Sequence, residues 1–284
     1  MIKVLKPGFY TTVQDMGRFG YQQYGVPVSG AMDLYAASVA NMLLGNSANN
    51  AVLEMTMTGP TLQFICKSAI CISGADLSPK LNQQPIAINK EIEVKEGDIL
   101  SFGKMKFGFR SYLAVSGGIK TDKVMNSRSL YQGVTLQSTI AKGDELPIEL
   151  HSDSVQEKHA GLKIKTNYFD SKEIQVLKGT EFDKLPKHQQ ELLLSQEFTI
   201  SKNNSRMAYQ LEQELENNNL ESIITSPVLP GTVQLTPSGK LIVLMRDCQT
   251  TGGYPRVLQL AENAINKLSQ KMAGQVVTFK LVQV

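Results

Sequence analysis

Apolar and polar positions alternate over short distances along this chain. Between Lys90 and Ile119, "KEIEVKEGDILSFGKMKFGFRSYLAVSGGI", apolar residues fall at Ile92 and Val94. A turn follows at Glu96, Gly97 and Asp98, and β-branched and aromatic runs come after it. Gly143 and Asp144 in "AKGDELPIEL" repeat the turn signal. Short strands punctuated this way predict barrels or sandwiches rather than a doubly wound sheet. Later, "LIVLMRDCQTTGGYPRV" runs from an apolar stretch, Leu241 to Met245, straight into charge, amide, hydroxyl and glycine.

Helical periodicity is confined to a few places. "MDLYAASVANMLLGN" sets Tyr35, Val39, Met42 and Leu43 on one face, with Asp33 as N-cap and Gly45 just past the end. A second helix is expected between about Pro186 and Ser195, and a third within "AENAINKLSQKMAG", stopping near Gly274. Arg256 to Leu260 reads equally as strand or helix. "PGFYTTVQD" at Pro7 to Asp15 is echoed by "PGTVQL" at Pro230 to Leu235, each a Pro-Gly turn feeding a Thr-Val-Gln strand.

The polar, aperiodic stretch from His151 to Asn167 marks an inter-domain connection, and Glu214 to Ser222 reads as a polar loop. The expected division is an N-terminal domain over 1–160, with a polar crossover and one helix, and a C-terminal domain over 161–284 that carries the "QTTGG" loop. A chain of 284 residues with 42% hydrophobic content can bury the core that two such domains need.

Charge narrows the partners. The balance of 29 Lys+Arg against 26 Asp+Glu leaves +3 with no basic block, which argues against nucleic acid and leaves small polar or anionic ligands open. Cys66, Cys71 and Cys248 show no repeated short spacing, and His151, His159 and His188 do not fall at metal-ligand intervals, so no metal site is expected. The start of the chain lacks a signal-peptide core, and no apolar run reaches the roughly 18 residues of a membrane span. A cytoplasmic protein with reduced thiols is the expectation.

Several familiar chemistries are absent as motifs: there is no G-x-x-x-x-G-K-[ST], no G-x-G-x-x-G after a strand, no G-x-S-x-G and no H-E-x-x-H. Cys248 has no histidine near it in sequence to raise its thiolate fraction. "GKMKFG" places Lys106 after Met105 and reads as a basic, solvent-facing hairpin rather than a biotin acceptor, since Phe107 stands where a second methionine would be. Two segments remain. Thr11 to Asp33 is a long polar stretch of glycines, carboxylates and glutamines around Arg18; it is either functional or a structural crossover in which Asp15 and Arg18 pair with each other. Asp247 to Gly253, "DCQTTGG", combines glycines that free backbone N–H groups with the adjustable donors of Gln249, Thr250 and Thr251. Such a bend suits an oxyanion, carboxylate or phosphoryl oxygen, with the early crossover as its expected facing wall.

The runs "PGFYTTVQDMGRFGYQQYGVPVSGAMD", "ANMLLGN", "AVLEMTMTGPTLQF", "YLAVSGGI" and "PGTVQLTPSGKLIVLMRDCQTTGGYP" resemble the carboxyltransferase (allophanate hydrolase subunit 2) family. That family includes the C subunit of 5-oxoprolinase, the kinase-inhibitor antagonist KipA and the carboxyltransferase region of urea amidolyase. The resemblance implies a mostly β protein of two cyclophilin-like β-barrel domains with a few short helices. It further implies ATP-dependent opening of 5-oxoproline to glutamate beside a partner resembling KipI or the B subunit of 5-oxoprolinase, and a third chain such as the A subunit of 5-oxoprolinase. Two other readings stay open: a non-catalytic regulator that binds a KipI-like inhibitor, and a biotin-dependent carboxyltransferase component acting on urea or a similar amide.

Carried over by resemblance, the catalytic positions are Asp15, Arg18, Asp33, Gln249 and Thr250. The substrate-binding positions are Ser29, Gly30, Met32, Arg128, Arg206, Thr251, Gly252 and Gly253. In "NSRMAYQL" the chain departs from the family's usual pattern, with Ser205, Ala208 and Gln210 in place of Asp, Gly and Arg.

Overall fold

The structure, a computed structural model, describes residues 1–149, 164, 166–215 and 220–282. Most of the expected connection from His151 to Asn167, and part of the Glu214 to Ser222 loop, lie outside the described residues. The chain divides into two compact units, one formed by Met1–Arg18 and Ser29–Thr166, the other by Phe19–Val28 and Asn167–Val284.

The first unit is built on two antiparallel sheets. One has five strands in the order Tyr10–Gln14, Val52–Thr56, Phe107–Val115, Ser68–Asp76 and Glu91–Val94. The other has six, including Ile2–Lys6, Thr61–Phe64 and Ile99–Ser101. Strand residues alternate between faces, and one face of the five-stranded sheet supplies Val13, Leu53, Met55, Leu113 and Ile72 to an apolar core shared with Ile2, Val4, Leu62 and Leu100 of the other sheet. The segment "GKMKFG" is not a hairpin. Ile99–Ser101 and Phe107–Val115 belong to different sheets, so the chain crosses between them, and exposed Lys106 reaches Asp76 at 3.1 Å.

The opposite face of the five-stranded sheet is covered by helix α1, Leu34–Leu43. Asp33 caps it by accepting a hydrogen bond from the Ala36 N–H, as its sequence predicts. The packed face keeps Val39 of the expected set, which is fully buried, and otherwise differs from it. Ala36, Ala37 and Ala40 meet Val52, Tyr112 and Ala114, while Met42 is 46% exposed. Small side chains let the helix backbone come close to the sheet, and that proximity outweighs the burial available to Met42.

In the second unit seven strands close into a barrel, in the order Glu173–Lys178, Arg256–Leu260, Thr232–Leu235, Lys240–Leu244, Ala208–Glu214, Phe198–Asn204 and Val276–Leu281. Val276–Leu281 closes it by pairing parallel with Glu173–Lys178. Arg256 to Leu260, ambiguous by pattern, is therefore a strand. Alternate residues fill the interior, among them Val176, Ile200, Tyr209, Val233, Val243 and Phe279. Helices α2, Lys187–Ser195, and α3, Glu262–Ser269, pack on the outside; α3 ends five residues before Gly274. Both members of the Thr-Val-Gln echo are strands with a buried glutamine, Gln14 and Gln234. Among the described residues no helix is long and apolar enough to cross a membrane.

Candidate functional site

In the first unit, Asp15 organises a loop. Its Oδ1 accepts from the Gly17 N–H at 2.9 Å and from the hydroxyls of Ser127 and Ser129 at 2.7 Å each, and its Oδ2 accepts from the Arg128 N–H at 2.6 Å. Arg18, fully buried, donates from Nε to the Val124 carbonyl at 3.0 Å and from Nη2 to the Ser129 carbonyl at 2.8 Å. The two side chains thus grip the same segment, 124–129, from both ends. Within it Met125 and Asn126 adopt positive φ, 52° and 63°. The outcome is a tightly held turn that presents Arg128, whose half-buried guanidinium makes no ion pair or hydrogen bond among the described residues.

Ser29 and Gly30 lie against the Asp15–Gly17 segment, since the Ala31 N–H donates to the Asp15 carbonyl at 2.9 Å. Gly30 has φ +87°, and a Cβ there would stand 2.9 Å from the Met16 carbonyl carbon and the Gly17 nitrogen, so only glycine fits. Ser29, at φ 57°, is buried with its hydroxyl lacking a partner among the described residues.

Met32 and Asp33 join a different network, one that pattern reading missed. The Met32 N–H donates to Glu54 Oε2 at 2.7 Å, the Tyr112 hydroxyl donates to the same oxygen at 2.9 Å, and the Asp33 N–H donates to the Tyr112 oxygen at 2.8 Å. Arg110 Nε lies 3.9 Å from Glu54 Oε1. Burial first, then the carboxylates of Glu54 and Asp33, hold the Tyr112 phenol protonated well above its ordinary range, so it remains a donor. The available signal was a glutamate inside the apolar run "AVLEM", opposite Tyr112 in the adjacent strand. A charge on a strand with both faces covered must be paired.

In the second unit the apolar strand Lys240–Leu244 leads into the glycine-containing bend. Arg206 forms a two-pronged pair with Asp247, Nε to Oδ2 at 2.8 Å and Nη2 to Oδ1 at 3.0 Å, with side chains 5% and 9% exposed. The Asp247 N–H also donates to the Arg206 carbonyl. On the other side, Arg246 grips Glu262 and Asn266 of α3. Cys248 is sealed against Val228 and Leu244. Burial, with the charge of Asp247 second, pushes its thiol up to about 12, so it is no nucleophile near neutral pH.

Beyond Cys248 the bend is tied down through its carbonyls. Thr250 O accepts from the Val228 N–H, Gly253 O accepts from the Ile223 N–H, and Thr251–Gly252 pairs with Ser226–Pro227. The amides of Gln249, Thr250 and Gly253, and the hydroxyls of Thr250 and Thr251, bond to nothing among the described residues. Except for exposed Thr251 these positions are half-buried. Under the bend lies Gln234, also missed: it is 2% exposed and its Oε1 accepts from Gln249 Nε2 at 3.4 Å. The departures from the family pattern are locally satisfied. Ser205 Oγ accepts from the Met207 N–H, Ala208 packs beside Val228, and Gln210 Oε1 accepts from Asn203. Among the described residues no group of three or more His, Cys, Asp or Glu could hold a metal ion.

Chemically, the second-unit bend presents several donors that no described residue of the protein accepts from, an arrangement that suits an oxygen bearing negative charge. The first-unit turn presents a cation on a rigid base.

The carboxyltransferase domain family, subdomains A and B, matches residues 24–281. The C subunit of 5-oxoprolinase from Escherichia coli (strain K12) is 35% identical over 285 residues, covering 98% of this chain and 90% of that protein. Its counterpart from Haemophilus influenzae, also the C subunit of a 5-oxoprolinase, is 31% identical over 291 residues, covering 99% and 91%. The crystal structure of K. lactis urea amidolyase superimposes with a TM-score of 0.88 at 28% identity; 99% of this chain is covered, and the chain spans 19% of that protein's length. The chain belongs to the carboxyltransferase domain family, subdomains A and B.

Proposed function

We propose that this protein is the C subunit of an ATP-dependent 5-oxoprolinase, opening 5-oxoproline to glutamate in the cytoplasm together with a KipI-like B subunit and an A subunit. The reading rests on similarity to the C subunit of 5-oxoprolinase along nearly the whole chain, and on a bend whose donors have no partner among the described residues.

Lactam opening is resisted by amide resonance, and negative charge builds on the carbonyl oxygen as water adds to the carbonyl carbon, before the C–N bond breaks. The amides of Gln249, Thr250 and Gly253 and the Thr250 hydroxyl would hold that oxygen or a phosphoryl oxygen. ATP, bound in the complex, supplies the activation that overcomes the resonance. Within the first unit, Arg128 offers its guanidinium to an anionic group. Asp15 and Arg18 act by holding Arg128's turn, and Arg206 by fixing Asp247 at the start of the bend. Ser29, Gly30 and Met32 shape the crossover, and Asp33 anchors it to α1.

The test is glutamate release from 5-oxoproline by the mixed subunits in the presence of ATP. Absence of release, with avidin-sensitive carboxyl transfer to urea instead, would replace this reading with the biotin-dependent one.

A further inference from the structure

Gln234 stands out among the buried polar groups outside the assigned positions. It sits on Thr232–Leu235, opposite Ile242 and Arg256 in the neighbouring strands, on the outer face of the barrel. Its Oε1 is occupied by Gln249 Nε2, whereas its Nε2 is sealed from solvent and has no acceptor among the described residues. A buried amide donor without an acceptor is costly, and an acceptor arriving from elsewhere offsets that cost. This Nε2 points at the bend: a Cβ on Gly252 would stand 2.5 Å from it. The φ of Gly252 is not positive, so its lack of a side chain serves the close approach of Gln234 rather than the backbone.

Resting on the reading of the bend as an oxygen site, we infer that Gln234 is a further ligand-binding and specificity-determining residue, donating from Nε2 to a carbonyl, carboxylate or phosphoryl oxygen held by Gln249 to Gly253. Gln249 fixes the orientation of its carboxamide, leaving the N–H groups to the ligand. A site so built selects groups that accept on every face and rejects those that present a donor, because a donor would leave Nε2 unpaired.

Two variants test this. Gln234→Glu keeps the shape and replaces the donor by a charge that repels an anionic oxygen. Gly252→Ala displaces the carboxamide through the far end of a flexible side chain, without altering charge. In 15N spectra of the full chain, saturating 5-oxoproline or inorganic phosphate is expected to shift the Gln234 side-chain amide signals. In Gly252→Ala that shift is lost. Both variants should lower kcat/KM of the reconstituted complex about 10²-fold at unchanged folded fraction. The inference falls if neither probe moves the Gln234 signals, or if folded Gln234→Glu and Gly252→Ala both turn over at the wild-type kcat/KM; the second result leaves the oxoprolinase reading intact. Conversely, a wild-type complex that releases no glutamate, while phosphate moves the Gln234 signals, removes that reading and supports the inference.

Discussion

Arg206 and Asp247, 41 positions apart in the chain, are joined by a two-pronged ion pair that is almost fully withdrawn from solvent. The pair fastens the turn before Ala208–Glu214 to the root of the bend that follows Lys240–Leu244. Removing one partner strands the other charge in a poorly solvated site, so Arg206→Ala or Asp247→Ala should lower stability by about 3–5 kcal/mol. Replacing both with apolar residues of similar volume should cost much less than the sum. Denaturant unfolding of the two single variants and the double variant measures the difference.

Asp15 and Arg128 give opposite expectations although they are neighbours in the same turn. Asp15→Ala removes an acceptor that serves Gly17, Ser127, Arg128 and Ser129, and should cost about 2–4 kcal/mol. Arg128→Ala removes a side chain with no protein partner among the described residues, and should change stability by no more than about 0.5 kcal/mol. Turnover of the reconstituted complex should nevertheless fall in Arg128→Ala by about 10²-fold. Thermal melts paired with glutamate release separate the two roles.

Cys248 gives a chemical and a pH expectation. Iodoacetamide at pH 8 should label the partly accessible Cys66 and leave Cys248 untouched. Because the folded thiol ionises at about 12 against an ordinary 9.0, the folded state binds more protons than the unfolded state between those values. Its contribution is therefore complete below pH 9 and lost as pH rises toward 12. Denaturation between pH 9 and 11 should show stability falling with pH, with a shallower slope in Cys248→Ala.

Gly30→Ala places a Cβ against the Met16 and Gly17 backbone at φ +87°. A loss of about 1–3 kcal/mol is expected from the strained backbone alone, read as a lowered Tm.

Much of this architecture was legible because local rules decided it. Asp33 before an apolar run caps α1, and the apolar stretch ending at Met245 is a strand that opens into a loop of free donors. What was not legible depended on contacts between distant strands. The packed face of α1 runs through alanines because the sheet beneath requires close approach, which a hydrophobicity count assigns to Met42 instead. "GKMKFG" reads as a hairpin until its flanking strands are found in different sheets. Glu54 and Gln234 were hidden for a shared reason: each is a polar residue inside a strand, and its role is set by partners 58 and 15 positions away.

The most direct measurement is ATP-dependent glutamate release from 5-oxoproline by the complex reconstituted with Gln249→Ala/Thr250→Ala protein. The double variant is expected to fold with a near-wild-type Tm and to lose about 10²-fold to 10³-fold in kcat. A folded double variant that releases glutamate at the wild-type rate would contradict the roles given to the Gln249 side chain and the Thr250 hydroxyl in holding the developing oxygen charge.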